Sequence, residues 1–382
     1  MGDNNMASKI PTTMQAIVLT EFCKPSQYNL GTLPVPKITG PEDLLIKVKA
    51  ASVNPIDVKM ASSLGKMMGD TKSVSFPQNL IMENQANIFS RFPQKIGYDV
   101  AGVVVAIGSG VSTFKIGDEV FSRVGGKNRG TLAEYCLSDV STAALKPKSL
   151  SFVEAAAIPL AGQTALQALD VGEKTLPGGL RGKTVYVTAG LSGTGSFAVQ
   201  LAKNVFGAKT TITTLSTKKI PVIQEVMGDR GPDVIVDYTK EKTVDVTGKQ
   251  EVDFMFDTVG ETIKAMPMIK KGGRIVSIST APQGTNFKKT CPNLPIYLEY
   301  ILNLADWMFR TYAGWYGVNY QYMVFEENAR DLQRLSGWVE EGKVRPVVGE
   351  IVKLRDIEAV RKGCQQILDG KGGIGKFVVE ID

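Results

Sequence analysis

The chain has 382 residues, 43% hydrophobic and 21% charged, which is enough apolar material for two cores and unlike a disordered composition. The net charge of +6 is dispersed, with Lys and Arg among acidic residues, which argues against nucleic acid and suits an anionic cofactor or acyl carrier equally. There is no histidine, so a Ser-His-Asp triad, a histidine general base and every histidine-ligated metal are excluded.

The opening MGDNNMASKIPTTMQAIVLTEF lacks the basic-then-apolar order of a secretory signal and the Arg-rich pattern of a transit peptide, so a cytoplasmic location is expected. Cys23, Cys136, Cys291 and Cys364 stand far apart without a CxxC pair and read as reduced thiols, with no metal site. Short apolar runs at Met14–Leu19, Leu44–Ala51, Val100–Ile107, Glu119–Ser122 and Leu132–Leu137, with glycine-rich punctuation, predict an irregular β-rich unit. Ser151 with Glu154 three residues later is a capping-box signal for a short helix ending near Pro159, and Pro159–Leu169 supplies a connecting helix at a domain hinge.

Beyond that point strand and helix alternate, which predicts a mostly parallel sheet covered by helices. Thr184–Thr188 reads as a buried strand, AGLSGTGS as a turn, and the segment from about Ser196 through Phe206 as a helix. Further strands are expected at Thr210–Thr214, Val234–Val236, Val252–Phe256 and Arg274–Ser279. Helices over Glu327–Glu341 and Leu354–Leu368, then the strand GKFVVEID, close the pattern. A terminal strand of this kind can rejoin the first unit, making the sheet unit an insertion: 10–158 and 326–382 form one domain, 159–325 the other.

The strand–turn–helix VYVTAGLSGTGSFAVQLAK is the sharpest local signal. Gly190, Gly193 and Gly195, with Ser192 and Thr194 between them, make a turn whose N–H groups and helix N-terminus suit a dinucleotide pyrophosphate. After the next strand an NAD-type site carries an acid; this chain has Ser216, Thr217, Lys218 and Lys219 instead. Hydroxyls and ammonium groups there select the 2′-phosphate of NADPH.

Taken in order, AASVNPIDVK (50–59), IGYDVAGVVVAIGSGVSTFKIGDEVF (96–121), IPLAGQTALQAL (158–169), the glycine turn, VDFMFDTVG (252–260), GGRIVSIS (272–279) and the tail from Gly342 resemble the medium-chain dehydrogenase/reductase superfamily. The similarity is to its zinc-independent quinone-oxidoreductase and enoyl-reductase branch and covers nearly the whole chain. It implies an α/β fold: a GroES-like β-rich catalytic domain plus a Rossmann domain with a doubly wound parallel sheet, the cofactor lying between them. Zinc-dependent relatives carry a cysteine near the position of Asn54 and Gly-His-Glu where this chain has Gly97, Tyr98 and Asp99, so the ligand positions are replaced. Ala189 and Ser192 depart from the usual turn, and MASSLGKM after the NPxD motif lacks the tyrosine of mitochondrial-type enoyl-thioester reductases.

The resemblance points to Asn54, Tyr98 and Thr164 as the groups nearest the reacting end of the cofactor, with Thr258 and Ser279 along the cofactor cleft. Asn54 has an alternative role capping the turn before Pro55, and Tyr98 one in aromatic packing. Asp57 and Asp99 are expected to fix local geometry, and Lys203 to face solvent. The expected reaction is NADPH-dependent reduction of an activated C=C bond or quinone, on a small or acyl-type apolar substrate. A trans-acting enoyl reductase on a carrier-bound polyketide chain and a non-catalytic NADP-binding protein remain the alternatives. Segments 62–93 and 282–325 are expected to decide the substrate. The second holds nine aromatics between Tyr297 and Tyr322, which suit a pocket or lid, a homodimer or protein-partner surface, or a membrane-surface helix; its charges reject a transmembrane span.

Overall fold

A computed structural model describes residues 10–62, 92–290, 294–371 and 373–381. Most of the 62–93 segment, much of MASSLGKM and Cys291 lie outside the described residues; Cys23, Cys136 and Cys364 are buried free thiols.

Strand β1 (Thr13–Leu19) pairs antiparallel with β2 (Asn29–Pro34). The central strand of the first unit is β3 (Asp43–Val53), and β4 (Gln94–Lys95) closes the other edge of β1. Strands β5 (Asp99–Ile107), β6 (Glu119–Arg123), β7 (Tyr135–Asp139) and β8 (Ala143–Leu145) complete its antiparallel part. Along one edge of β3, β5 runs nearly the full length. The other edge is shared, with β7 against residues 43–47 and a strand from the end of the sequence against residues 50–53.

The second unit is a parallel sheet. Strands β9 (Thr184–Val187), β10 (Thr210–Leu215), β11 (Val234–Asp237), β12 (Val252–Asp257), β13 (Ile269–Ser277) and β14 (Asn319–Tyr322) stand in the order β11-β10-β9-β12-β13-β14. That order reverses at β9, leaving a crevice at the carboxyl ends where a doubly wound sheet binds its ligand. The chain then returns: β15 (Val348–Lys353) pairs with β16 (Lys376–Glu380), and β16 lies antiparallel to β3, Phe377 opposite Val53 and Glu380 opposite Ala50. The GroES-like mixed sheet and the Rossmann-type parallel sheet expected from the sequence are both present.

Among the described residues, four helices begin where the N-cap side chain accepts one of their first N–H groups. Helix α1 (Pro55–Met60) follows Asn54, and α2 (Phe152–Ala156) has the expected capping box, Glu154 N–H donating to Ser151 Oγ at 3.2 Å. Helix α3 (Pro159–Thr175) outruns the expected end at Leu169. Its Gly172 marks close packing; a Cβ there would stand 2.8 Å from the Phe254 ring. Helix α4 (Gly193–Asn204) starts ahead of the expected Ser196 because the Ser192 hydroxyl accepts the Gly195 N–H at 3.0 Å. The 282–325 region contains α5 (Ile296–Trp315), followed by the unexpected edge strand β14. Helix α6 (Ala329–Glu340) starts after its cap Asn328, and α7 (Ile357–Leu368) after Asp356.

One apolar cluster spans both units. Ala161, Ala165 and Leu169 of α3 join it with Val185, Phe254 and Phe256 of the parallel sheet and with Ala101, Phe121 and Val378 of the mixed sheet. Truncating Phe254 or Phe256 to alanine in such a site costs roughly 3–5 kcal/mol. The aromatics of 296–322 divide: Phe309 and Tyr320 stack at 5.4 Å over the sheet, whereas Tyr297, Tyr300, Trp307 and Trp315 face water. Among the described residues no helix is long and apolar enough to cross a membrane.

Asp57 sits inside the first of these caps. Its Oδ2 accepts the Asn54 N–H at 2.6 Å, while Oδ1 is buried without a hydrogen-bond partner. Burial, then the nearby Asp99 carboxylate, push its pKa up to about 7, against opposing effects of Lys376 and Arg123. In the unfolded chain the same carboxyl ionises near its ordinary value of about 4. Its stabilising contribution is therefore full below that value and lost as pH rises through 7. Asp57→Asn is expected to flatten the loss of denaturation midpoint between pH 4 and 7; equal slopes in variant and wild type refute the assignment.

Candidate active site

The site is built where β3, β5, α3 and β16 meet. Asp99 is fully buried at the start of β5 and gathers three chain segments onto one carboxylate. Ser52 Oγ donates to its Oδ2 at 3.0 Å, Asn54 Nδ2 donates to the same oxygen at 2.8 Å, and the Leu160 N–H at the start of α3 donates to Oδ1 at 3.0 Å. The ammonium of Lys376, first residue of β16, lies 3.4 Å from Asp99 Oδ2 and 3.4 Å from the Val53 carbonyl, and donates to Asn54 Oδ1. Side-chain exposure is 4% for Lys376 and 0% for Asp99, so this ion pair is closed to bulk water.

Sequence reasoning missed Lys376. The available signal was a lysine heading the apolar run FVV of the final strand, since a buried lysine is almost always paired. Asn54 occupies the N-cap position of α1, but its amide turns to Asp99 and Lys376. One Nδ2 hydrogen remains beyond the bond to Asp99.

Tyr98 is 3% exposed. Its ring carries the Arg123 guanidinium 4.5 Å from the centroid, and its hydroxyl, raised in pKa by burial, is hydrogen-bonded to Arg129. Arg123 also stacks on Phe325 at 5.2 Å and pairs with Glu327 at 2.8 Å. Thr164 is buried in α3, its hydroxyl donating to the Leu160 carbonyl at 2.6 Å, one turn from the N–H that holds Asp99. Of the three, Asn54 bonds Asp99 directly and Thr164 stands one turn along α3 from the N–H that does so, whereas the Tyr98 side chain is held by Arg123 and Arg129.

The glycine turn abuts this network. Gly375 N–H donates to the Leu191 carbonyl at 2.7 Å, and a Cβ on Gly193 would lie 2.8 Å from Lys376 Cδ. Cβ atoms on Gly190 and Gly195 would come within 2.3 Å of Thr213 Oγ1 and 2.2 Å of the Ala189 carbonyl. The absent side chains therefore make room first for protein atoms. Ala189 itself takes a left-handed conformation, φ 51°. Ser192 Oγ takes the Gly195 N–H and the parallel bridge between Ser192 and Gly375 turns the Gly193 N–H to the Gly375 carbonyl, leaving the Thr194 N–H as a first-turn donor without an intrahelical partner.

Thr258 N–H donates to Thr188 Oγ1 at 2.8 Å, and Ser279 Oγ donates to the Thr258 carbonyl, so both line the carboxyl ends of β9, β12 and β13. At the end of β10, Lys218 is exposed and Lys219 donates to the Gly373 carbonyl at 2.9 Å. Ser216 begins that loop, half-buried; Thr217 donates to Asp237 of β11, which also accepts from Thr239. Lys203 lies apart from the site, paired with Asp233 at 2.8 Å. The parallel sheet, its crevice and this turn form a Rossmann-type NAD(P)-binding unit. Among the described residues no three His, Cys, Asp or Glu side chains cluster to hold a metal.

Removing one partner of a buried ion pair leaves the other charge uncompensated, at roughly 3–5 kcal/mol. Lys376→Met is expected to lose about that much in denaturant unfolding, and Lys376→Met with Asp99→Asn less than the two single losses added. Additive losses would show that the pair does not act as a unit.

The alcohol dehydrogenase GroES-like domain family matches residues 40–148, and the zinc-binding dehydrogenase family matches residues 230–379. A 2-methylene-furan-3-one reductase of Solanum lycopersicum is 33% identical over 353 residues, 91% of this chain and 74% of that protein. A chloroplastic NADPH-dependent alkenal/one oxidoreductase of Arabidopsis thaliana is 33% identical over 348 residues, 89% and 73% of the two chains. The solved quinone oxidoreductase of Coxiella burnetii superposes with a TM-score of 0.75 at 28% identity, covering 97% of this chain and 100% of its own. With its mixed and parallel sheets, nucleotide crevice and substituted metal-ligand positions, this chain belongs to the medium-chain dehydrogenase/reductase superfamily, as an oxidoreductase of the zinc-independent branch related to quinone oxidoreductases and enoyl reductases.

Proposed function

We propose that the chain reduces an activated C=C bond or a quinone with NADPH, the reacting carbon lying beside Asn54, Tyr98 and Thr164. The observation that carries this reading is the meeting of a buried ammonium, amide and carboxylate beside the glycine turn, in a chain without histidine. The relatives named as a 2-methylene-furan-3-one reductase and an alkenal/one oxidoreductase support the substrate class.

When bound, the dihydronicotinamide supplies the hydride. Gly190, Ser192, Gly193, Thr194 and Gly195 receive the pyrophosphate, with Thr258 and Ser279 along the nicotinamide half. Ser216, Lys218 and Lys219 take the 2′-phosphate. Asp237 is the nearest acid to that loop, and its oxygens are occupied by Thr217 and Thr239, which supports NADPH over NADH. As charge develops on the substrate oxygen, the remaining Asn54 amide hydrogen donates to it, and the fixed ammonium of Lys376 strengthens that donor. Tyr98, held protonated by burial, serves as a second, neutral donor. Hydroxyl, amide and ammonium are already tied to protein partners, so they reorganise little during the reaction. The 282–325 region acts in this reading as a protein-facing surface.

NADPH is expected to bind more tightly than NADH in calorimetric titration, and Lys218→Ala to weaken NADPH about tenfold while sparing NADH. Equal affinities for the two cofactors would overturn the preference. Against a panel of quinones, enones and enoyl thioesters, Asn54→Ala is expected to lower turnover by about tenfold, the equivalent of one hydrogen bond of about 1.4 kcal/mol. Tight NADPH binding without turnover on any member of the panel points to the non-catalytic alternative or to a carrier-bound polyketide chain, which the panel lacks.

A further inference from the structure

Lys376 reaches the Asn54–Asp99 network at the end of a short run, Gly373 to Lys376, that the nucleotide-binding unit grips along its length. The Lys219 ammonium, in the loop after β10, donates to the Gly373 carbonyl at 2.9 Å. Ile374 packs among Leu191, Leu215 and Ile223 of the parallel unit. Gly375 is bridged to the glycine turn, its N–H donating to the Leu191 carbonyl at 2.7 Å and its carbonyl accepting from the Gly193 N–H.

Lys376 leaves this grip with both of its ends fixed. Its backbone N–H donates to the Val347 carbonyl at 2.9 Å, and the next residue, Phe377, stands opposite Val53 in the mixed sheet. Its ammonium is held by Asp99, Asn54 and the Val53 carbonyl. Between those ends the stem passes Gly193, where a Cβ would stand 2.8 Å from Lys376 Cδ. Carbon atoms in favourable contact lie about 3.5–4.0 Å apart, so a methyl group on residue 193 would push the stem by roughly 0.7 Å or more. A stem pinned at both ends passes that displacement to its ammonium, and hydrogen bonds stretched by as much are no longer good ones.

We propose that Gly193 is a positioning residue for the reaction: its missing side chain is the room through which the Lys376 stem carries the ammonium to Asn54 and Asp99. The proposal rests on the reading that the Asn54 amide meets the substrate oxygen. The Gly193 N–H is already taken by Gly375, so what this glycine contributes to the turn is space. Gly190 and Gly195 differ from it. A Cβ on Gly190 would run into Thr213 Oγ1, and one on Gly195 into the Ala189 carbonyl, so both are needed for the shape of the turn itself. The glycines of one motif thus divide between two tasks: Gly190 and Gly195 shape the seat of the pyrophosphate, and Gly193 serves the chemistry.

Turnover of an enone or quinone and affinity for NADPH, measured together on glycine variants of the full chain, test this division. Gly193→Ala is expected to lower kcat by about tenfold, as Asn54→Ala does, because both weaken the same donor, and to leave the NADPH Kd within about twofold. Gly195→Ala is expected to raise the NADPH Kd by more than about tenfold through the distorted turn. In a Lys376→Met background, where no ammonium remains to be displaced, Gly193→Ala is expected to lower kcat no further. Full kcat in Gly193→Ala overturns the proposal, as does an NADPH affinity that falls in step with kcat, or a loss that multiplies with that of Lys376→Met. If Gly193→Ala does not fold, Lys376→Met alone decides: a lowered kcat at unchanged NADPH Kd supports the proposal, and an unchanged kcat overturns it. An inactive wild type refutes the reading beneath the proposal, whereas an active one indifferent to Gly193→Ala refutes the positioning alone.

Discussion

The buried ammonium of Lys376 is the constraint around which the junction of β3, β5, α3 and β16 is organised. An isolated charge at that depth would be intolerable, so its position is admissible only while Asp99, Asn54 and the Val53 carbonyl surround it. Those partners in turn fix the ends of β3 and β5, and Asp99 draws in the first N–H of α3. The lysine stem meanwhile fills the space that Gly193 leaves beside the cofactor turn. That side chain therefore bridges the mixed sheet and the glycine turn of the nucleotide-binding unit.

That bridge is reinforced by a core continuous across the two units. Helix α3 contributes small residues to both, and its glycine lets the aromatic ring of Phe254 approach its backbone. The junction of the units is thus closely packed, and the polar groups buried there are held by partners of their own. Such preorganisation is what transition-state stabilisation by dipoles requires, because donors that need not reorient lose nothing when charge appears.

Much of this was legible before any coordinates. The alternation of strand and helix after Thr184, the glycine turn and the capping serine at 151 each combined a local preference with a distinct pattern, and the structure follows them. The start of α4 was less legible because its first turn contains two glycines, poor helix formers whose role is set by neighbouring atoms. Strand β13 began earlier than expected, since KKGG reads as a turn and is in fact an irregularity inside the strand. Strand β14 hid in an aromatic-rich stretch; only its place beside β13 makes NYQY a strand. The roles of Asn54 and Lys376 could not be read locally, because they lie 322 residues apart and define each other. The aromatic content of α5 was visible, but which rings face water depends on what its inner face covers.

The pairing of β16 with β3 has a consequence for the making of the protein. Residues 50–53 of β3 leave one edge unmatched until residues 377–380 have been synthesised, after the entire parallel sheet. A nascent chain therefore carries an unpaired strand edge through most of translation, the kind of surface on which chains pair wrongly with one another. The nucleotide-binding unit, whose neighbouring strands are closer in sequence, can close first and shorten the effective loop that brings β16 home. Order of synthesis thus makes the Lys376–Asp99 pairing a late event, formed at the same step that covers the last open edge of β3.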